Sequence, residues 1–266
     1  MNQMNHATYP DIASKVAVVT GGGNGIGAAC VRALTAESAK VAIFDIDASS
    51  ASALSNSLGD DVMSVTVDVS KSGPVKDAFQ TVANQWGPCS LLVNNAGIQH
   101  YGTVTETTEE DWDRVLNINL KSAFLCAKQA IGQMQQLDGG VIVNVASVQS
   151  FLSQSQVAPY TTSKTALLGL TRSIAVDYAP TIRCVAVCPG TVDTPMLADA
   201  IQASPDPQAV LQECHEMHPL GRIASASEVA DLIVYLLSDK AGFMTGQYFR
   251  IDGGLGLSIA GSKHKA

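Results

Sequence analysis

The sequence predicts a doubly wound α/β fold, in which a single parallel β-sheet carries helices on both faces. Short runs rich in β-branched residues alternate with longer segments of helical spacing, a pattern typical of such sheets. The 266 residues are 46% hydrophobic, so a full core needs no disulfide or metal. No internal repeat or low-complexity linker divides the chain. We therefore expect one domain over residues 15–254, between a polar tail at 1–14 and a second tail at 255–266.

Six buried strands and a candidate for a seventh are predicted in chain order, because each is a short apolar run. They are Val16–Thr20, Val41–Phe44, Val62–Val67, Leu91–Asn94, Val141–Val145, Ile182–Cys188 and the candidate Tyr248–Ile251. Helical spacing predicts helices at Ile26–Ala36, Val75–Trp86, Trp112–Met134 and Ala166–Tyr178. Ligands of open α/β sheets bind beyond the carboxyl ends of the strands. The Pro-containing region at about 195–221 is therefore predicted to form a lid of short helices.

Composition excludes several classes of function. The formal net charge of −8 disfavours binding to the phosphate backbone of a nucleic acid. The N-terminus shows no secretory signal, and no apolar run approaches the roughly 20 residues of a membrane span. The six cysteines are scattered without a CxxC pair, as expected of small buried hydrophobes. We expect a cytoplasmic protein that binds neither nucleic acid nor membrane.

A glycine-rich loop, Thr20 to Gly27, follows the first predicted strand and opens the first helix. Glycines permit a tight turn and close approach of the backbone to a pyrophosphate, which the free N–H groups of the helix then face. A bare glycine motif is weak, but its place between strand and helix indicates a Rossmann-type dinucleotide site. The expected contacts are Gly21, Asn24, Gly25, Ile26 and Gly27.

Asp45 ends the second predicted strand, at the distance past the glycines where an acid meets the adenosine ribose. Its carboxylate can accept hydrogen bonds from both ribose hydroxyls and would repel a 2′-phosphate. The glycine loop contains no Arg or Lys to bind that phosphate. The sequence therefore predicts NAD rather than NADP, with Ile46 beside Asp45 in the same contact.

Tyr160 and Lys164 are spaced to lie on one face of a helix, one turn apart. A free tyrosine has a pKa near 10 and is a poor base at neutral pH. A nearby ammonium and a positive nicotinamide ring would favour the phenolate. The pair alone could be accidental, so its significance depends on the motifs around it.

From Lys15 to about Gly254 the chain resembles the short-chain dehydrogenase/reductase family. The motifs occur in the order of that family: Thr20–Gly27, Asp68, Asn94-Asn95-Ala96-Gly97, Asn119, Ser147, Tyr160 with Lys164, and Pro189-Gly190 with Thr194. Two scaffold positions depart from it. Val185 stands where relatives commonly have Asn, and Ser90 where they have Asp, which puts local hydrogen bonding in doubt.

The resemblance implies four catalytic residues. Tyr160 would be the general base in alcohol oxidation and the acid in ketone reduction. Ser147 would hold the substrate oxygen near Tyr160. Lys164 would lower the pKa of Tyr160 and bind the nicotinamide ribose. Asn119 would anchor a water that links Lys164 to solvent.

The resemblance also implies the remaining cofactor contacts. The adenine would meet Asp68 and Val69, and the floor of the site would be shaped by Asn95, Ala96 and Gly97. The nicotinamide end would meet Pro189, Gly190, Val192 and Thr194, with Tyr160 and Lys164. Asn94 is interpreted as a scaffold residue, and the family implies a homotetramer with Trp112–Met134 and Tyr160–Tyr178 at a principal interface.

The substrate side is predicted from the uncharged segment between Ser147 and Tyr160. Amides suit hydroxyl and carbonyl partners, so Gln149 and Gln154 are substrate candidates, while Gln156 has an equally good interpretation as solvated. Gln99 and His100 are weaker candidates. His215 and His218 lack further ligands, so no metal site is predicted. The tail from Leu255 is hypothesised to pack at a subunit interface.

The predicted function is NAD-dependent oxidation of a secondary alcohol on a small polar molecule. A sugar or a 2-keto-3-deoxy sugar acid fits the amide-rich, uncharged loop. A hydroxybutyrate-type dehydrogenase is the alternative, although the segment from Cys184 to Gly221 has no Lys or Arg for its carboxylate. A ketoreductase on carrier-bound thioesters and a non-catalytic NAD sensor also stay open.

Overall fold

A seven-stranded parallel sheet forms the centre of the protein. The structure is a computed structural model that describes residues 8–257. Six strands precede the lid region: β1 (Val16–Thr20), β2 (Lys40–Asp45), β3 (Val62–Thr66), β4 (Leu91–Asn94), β5 (Gly140–Val145) and β6 (Ile182–Pro189). β7 (Val192–Asp193) and β8 (Ala224–Ser225) pair only with each other, and β9 (Tyr248–Ile251) completes the main sheet. The order β3-β2-β1-β4-β5-β6-β9 confirms the predicted doubly wound sheet.

Nine α-helices connect the strands within the described residues. They are α1 (Gly25–Ala36), α2 (Ala48–Leu58), α3 (Ser72–Trp86), α4 (Glu109–Leu116), α5 (Ser122–Met134), α6 (Ala158–Tyr178), α7 (Pro195–Gln202), α8 (Pro207–Glu216) and α9 (Ala226–Leu237). α1, α2 and α9 pack on one face of the sheet, and α3, α5 and α6 pack on the other. The strand residues alternate between the two cores, as Val19 and Val18 of β1 show.

The segment predicted as one helix at Trp112–Met134 is divided in the structure. α4 ends at Leu116, and a π-helical turn at Asn117–Lys121 leads into α5. Hydrophobic spacing did not indicate this turn, because the backbone stays helical at both of its junctions, from α4 into the turn and from the turn into α5. Single π turns are frequent at functional sites. Asn119 lies in the middle of it.

The two positions that depart from the family pattern lie in the scaffold. Val185 is fully buried in the core beneath α9. The Ser90 backbone N–H donates to the Val16 carbonyl oxygen over 3.0 Å, at the base of the sheet. Val185 lies in the middle of β6, and Ser90 directly precedes β4. Both are therefore away from the carboxyl ends of the strands, where the cofactor site is predicted. Helices α7 and α8 fill the region predicted as a lid.

No helix among residues 8–257 is long and apolar enough to cross a membrane. Residues 1–7 and 258–266, which include half of the first predicted tail and most of the second, lie outside the described residues. The first residues of the second tail are described. The Gly256 backbone N–H donates to the Asp252 carboxylate over 3.3 Å, so the chain turns back onto the end of β9 there.

Candidate active site

The glycine loop forms a tight cradle at the carboxyl end of β1. Gly21 and Gly25 have φ values of 61° and 52°, a backbone region that favours glycine. A Cβ on Gly27 would collide with the carbonyl oxygen of Gly21 and reach the Asn95 amide at 2.6 Å. Asn24 precedes α1 in extended conformation, and its side chain makes no capping hydrogen bond within the described chain. The first N–H groups of α1 therefore remain available to an anionic ligand.

Thr20 and Asn95 bind the cradle to the loop after β4. The Thr20 hydroxyl accepts hydrogen bonds of 3.0 Å from the backbone N–H groups of both Asn95 and Ala96. In return, the Asn95 amide donates to the carbonyl oxygens of Thr20 and Gly21 over 3.1 Å and 3.0 Å. Sequence reasoning gave Thr20 no role of its own. Its position as the last residue of a strand facing Asn95 is the signal that could have found it.

Asp45 lies where the sequence placed it, beside the glycine cradle. Its two carboxylate oxygens accept hydrogen bonds from the backbone N–H groups of Gly23, over 2.8 Å, and Asp47, over 3.0 Å. Ile46 next to it is 72% exposed, which leaves an apolar side chain free to cover a ligand. Because the described hydrogen bonds to the Asp45 carboxylate come from neutral backbone N–H groups, its negative charge marks this end of the site.

A cleft of about 150 Å³ runs from Asp45 across the carboxyl edge of the sheet. Its described lining is mostly apolar and holds two carboxylates but no Lys or Arg. The residues are Gly21, Phe44, Asp45, Ile46, Val67, Asp68, Val69, Ala96, Gly97, Ile98 and Ile118. The additions to the sequence prediction are Phe44, Val67, Ile98 and Ile118, and each is an apolar neighbour of a predicted residue or motif.

Asp68 and Asn94 have different surroundings at this edge. The Asp68 carboxylate accepts hydrogen bonds from the Ser70 hydroxyl and backbone N–H, over 2.6 Å and 2.9 Å. The bond from the Ser70 hydroxyl is the main cause that holds the pKa of Asp68 below its usual value. Asn94 is buried, and its amide donates to Asn144 over 2.9 Å. Asn94 therefore links β4 to β5 below the cleft.

Asn119 connects the floor of the cleft to α6. Its amide oxygen accepts from the Ile98 N–H over 2.8 Å, and its amide nitrogen donates to the Ile98 carbonyl and the Ser163 hydroxyl over 3.0 Å and 3.1 Å. The π-helical turn that contains Asn119 directs its side chain toward Ile98 and α6. The Asn119 oxygen and the Lys164 ammonium both lie 3.4 Å from where a Cβ on Gly97 would be. Glycine thus keeps open a small polar space between these two groups.

Lys164 is almost fully buried behind this space, with 4% of its surface exposed. Its ammonium donates to the Val145 carbonyl oxygen over 2.8 Å and lies 5.7 Å from the centre of the Tyr160 ring. Burial lowers the pKa of Lys164 to about 8. The ammonium keeps two further N–H groups for other partners.

Tyr160 and Ser147 meet at the other side of the site. Ser147 follows β5, and its hydroxyl accepts from the Gln149 N–H over 3.1 Å. Burial raises the pKa of Tyr160, whereas the side-chain hydrogen bond with Ser147 lowers it. A phenol next to a hydroxyl and an ammonium can exchange a proton with a bound oxygen atom.

The turn after β6 closes the site opposite the glycine cradle. The Thr194 hydroxyl donates to the Val192 carbonyl over 3.3 Å and caps α7 by accepting from the Leu197 N–H over 3.4 Å. A Cβ on Gly25 would lie 3.2 Å from the Thr194 methyl group. Pro189 ends β6, and Gly190 packs against His218 of the lid region. The structure thus brings together the two halves of the predicted cofactor site.

The predicted substrate residues lie on the loop between Ser147 and α6. Gln149 is half-buried, and its amide contacts Gln154 over 3.4 Å and Thr161 over 3.3 Å. Gln154 and Gln156 are exposed. His100 faces α4, with its ring 3.8 Å from the Asp111 carboxylate. Tyr101, which the sequence analysis did not single out, is half-exposed in the same loop, and that loop pairs with the backbone at Val157.

Known proteins resemble the chain along almost its whole length. A family model described as enoyl-(acyl carrier protein) reductase matches residues 21–256. The chain is 41% identical to an uncharacterised oxidoreductase of Thermotoga maritima over 90% of this chain and 96% of the relative. It is 38% identical to dehydrogenase/reductase SDR family member 6 of Aquarana catesbeiana, over 91% and 98%. The ligand-free structure of Thermoplasma acidophilum aldohexose dehydrogenase is 34% identical with a TM-score of 0.88, over 96% and 99%.

Proposed function

Because the chain belongs to the short-chain dehydrogenase/reductase family, whose members are oxidoreductases that act on hydroxyl groups, we propose that it oxidises a secondary alcohol to a ketone with NAD. The observation that carries the proposal is the meeting of Ser147, Tyr160 and Lys164 at the end of the dinucleotide cleft. These are a hydrogen-bond donor, an acid–base group and a buried positive charge.

The residues present fit a dinucleotide. The Gly27 position has no room for a side chain beyond hydrogen, and the helix α1 N–H groups behind it are uncapped, as a pyrophosphate requires. The apolar cleft with Asp45 at one end suits an adenosine. The bound nicotinamide would supply the hydride acceptor. Proton transfer and the orientation of the alcohol are left to the protein.

We assign proton transfer to Tyr160. In oxidation the Tyr160 phenolate takes the proton of the substrate hydroxyl, while the Ser147 hydroxyl donates a hydrogen bond to the same oxygen. The Lys164 ammonium, 5.7 Å from the ring centre, stabilises the phenolate and opposes the rise in pKa that burial causes. Asn119 would hold a water in the space beside Gly97, and that water would link Lys164 to solvent and carry the proton onward. In reduction every proton moves in the opposite direction.

The surroundings of Asp45 support NAD rather than NADP. A ribose with two free hydroxyls can replace the Gly23 and Asp47 N–H groups as donors to the carboxylate. A 2′-phosphate would instead face this carboxylate, and the described lining of the cleft offers it no Lys or Arg. Electrostatic repulsion therefore favours the cofactor without the phosphate.

We propose a small polar alcohol as the substrate, with a sugar or sugar acid first. The Gln149 and Gln154 amides form an uncharged, hydrogen-bonding wall beside Ser147. The relative from Thermoplasma acidophilum is an aldohexose dehydrogenase. A 3-hydroxybutyrate-type acid is the second candidate, but the segment from Cys184 to Gly221 has no Lys or Arg for its carboxylate.

We also propose a cytoplasmic homotetramer. Large apolar side chains are exposed on the two helices that the family resemblance assigns to an interface, namely Phe124 on α5, 50% exposed, and Val176 on α6, 80% exposed. A second copy of the chain would remove both from water. Sedimentation analysis distinguishes this assembly from a monomer.

The function is tested by measuring NADH formation from a panel of aldoses, sugar acids, hydroxy acids and cyclic alcohols, with NAD and with NADP. We expect turnover of at least one secondary alcohol and a higher kcat/KM with NAD. Absence of turnover with both cofactors across the panel, together with absence of NADH binding, would overturn the proposal.

A further inference from the structure

His218 is buried between the lid region and the turn after β6, with 3% of its surface exposed. It follows α8, whose last turn supplies one of its partners. The ring nitrogen Nδ1 lies 2.6 Å from the Cys214 carbonyl oxygen, and Nε2 accepts a hydrogen bond of 3.1 Å from the Thr191 backbone N–H. Since a backbone N–H can only donate, Nε2 carries no proton. The proton therefore lies on Nδ1, which donates to Cys214.

Two glycines make room for this ring. A Cβ on Gly190 would lie 2.8 Å from Nε2 of His218, and a Cβ on Gly253 would lie 3.3 Å from Cδ2 of the ring. Met217 adds a second contact, because the Thr191 hydroxyl lies 4.0 Å from its sulfur. The turn after β6 is thus held against the end of α8 by a buried hydrogen bond and by close packing.

The charged groups around His218 are paired among themselves. The small pocket beside it is lined by Arg222, Glu228 and Asp252. Arg222 donates to Glu228 over 2.6 Å and 2.9 Å, and Asp252 accepts from Arg250 over 2.9 Å. The hydrogen bond to Thr191 therefore has no strong ionic competitor within the described surroundings.

We propose that His218 is a positioning residue, which fixes the Gly190–Val192 turn in the geometry that receives the nicotinamide end of the cofactor. The inference rests on the proposed function, which places Val192 and Thr194 at the nicotinamide carboxamide. Thr191 is the residue between Gly190 and Val192, so a shift of its N–H moves both. Because His218 follows α8 and is bonded back to Cys214 within it, the position of α8 and the shape of the cofactor turn are coupled.

Two substitutions separate the two hydrogen bonds of the ring. In His218→Asn the amide nitrogen can replace Nδ1 and keep the bond to Cys214, but nothing accepts from Thr191. In His218→Gln the longer side chain places its oxygen near the position of Nε2 and can accept from Thr191. His215→Gln is the matched control, since His215 lies one turn earlier on α8 and is less buried.

The experiment measures the Kd of NADH by fluorescence titration, the KM of the alcohol, and hydrogen exchange of the Thr191 amide in the cofactor-free protein. We expect His218→Asn to weaken NADH binding on the order of tenfold and to speed exchange at Thr191. His218→Gln and His215→Gln should stay within about threefold of the native Kd. The KM of the alcohol should change less than the Kd.

Three results would overturn the inference. One is native NADH binding in His218→Asn, and another is an equal loss in the Asn and Gln variants together with a lower melting temperature in both, which indicates a merely structural role. A third is unchanged exchange at Thr191 in His218→Asn. Failure of the native protein to bind NADH would instead show that the proposed function itself is wrong.

Discussion

The Lys164 ammonium lies 5.7 Å from the centre of the Tyr160 ring, and Lys164 is buried while Tyr160 is partly buried. Its one described hydrogen bond is to the Val145 carbonyl, 2.8 Å away. Carrying a charge in this position is costly, and burial accordingly lowers the pKa of Lys164 to about 8. The same charge is the group that can stabilise a phenolate on Tyr160. The positive charge of Lys164 therefore lowers the stability of the fold while it serves the proposed activity.

The lowered pKa of Lys164 predicts how the free energy of unfolding changes with pH. The pKa of Lys164 is about 8 in the folded protein, whereas the ordinary pKa of a solvated lysine, which applies to the unfolded chain, is 10.5. Between these values the unfolded state binds more protons, so stability rises with pH. The shift corresponds to about 3 kcal/mol. We predict that the native protein gains this much in free energy of unfolding, relative to Lys164→Met, as the pH is raised from 8 to 10.5.

Denaturant unfolding at several pH values measures this difference, and Lys76→Met on the exposed face of α3 is the control. The control variant should keep the pH dependence of the native protein. A constant difference between the native protein and Lys164→Met across this range would show that Lys164 is not neutralised by burial.

Asp45 is predicted to decide between NAD and NADP. Replacing it with Ala removes the acceptor of the Gly23 N–H and the charge that, under the proposed function, faces the 2′ position. The kcat/KM for NAD should fall on the order of tenfold or more, since hydrogen bonds to a charged group are lost. The value for NADP should rise, because the repulsion disappears.

Asp47→Ala is the matched control for Asp45→Ala. Asp47 caps α2 by accepting from the Ser49 and Ser50 N–H groups, so its loss should cost about 1 kcal/mol of stability. The ratio of kcat/KM for the two cofactors should not change. An equal change of that ratio in both variants would mean that general charge, rather than the position of Asp45, sets the preference.

Gly27 is predicted to tolerate no side chain. In Gly27→Ala the methyl group would collide with the Gly21 carbonyl oxygen and press on the Asn95 amide, which holds the loop after β4. NADH binding should weaken by at least about tenfold, and the melting temperature should fall. Gly73→Ala in α3 is the control, because a Cβ there meets nothing within 4 Å. Native NADH affinity in Gly27→Ala would contradict the close approach of the backbone to the pyrophosphate.

The sheet and the main motifs could be predicted because each depends on local sequence. Every predicted strand is a short apolar run, and the observed ends differ from the prediction by no more than one residue, as at Lys40–Asp45 and Ile182–Pro189. The fold then brings Asp45 and the glycine loop to one edge, since both follow parallel strands of the same sheet.

The remaining features depend on contacts between distant segments. The π turn at Asn117–Lys121 is invisible to helical spacing, yet it directs Asn119 toward Ile98. His218 looks in the sequence like one of two histidines in a polar segment. Its burial depends on Gly190 and Gly253, which lie 28 and 35 positions away along the chain. Patterns of neighbouring residues contain no information on contacts between positions so far apart in the sequence.

The central claim is that Tyr160 moves the proton, and Tyr160→Phe tests it most directly. The measurement is single-turnover NADH formation with the best alcohol of the panel, beside the Kd of NADH for the same variant. Tyr101→Phe, at a half-exposed tyrosine of the neighbouring loop, is the control. We predict that Tyr160→Phe slows hydride transfer on the order of a thousandfold, with NADH affinity within about threefold of native and a native rate in the control. Hydride transfer at the native rate in Tyr160→Phe would contradict the mechanism.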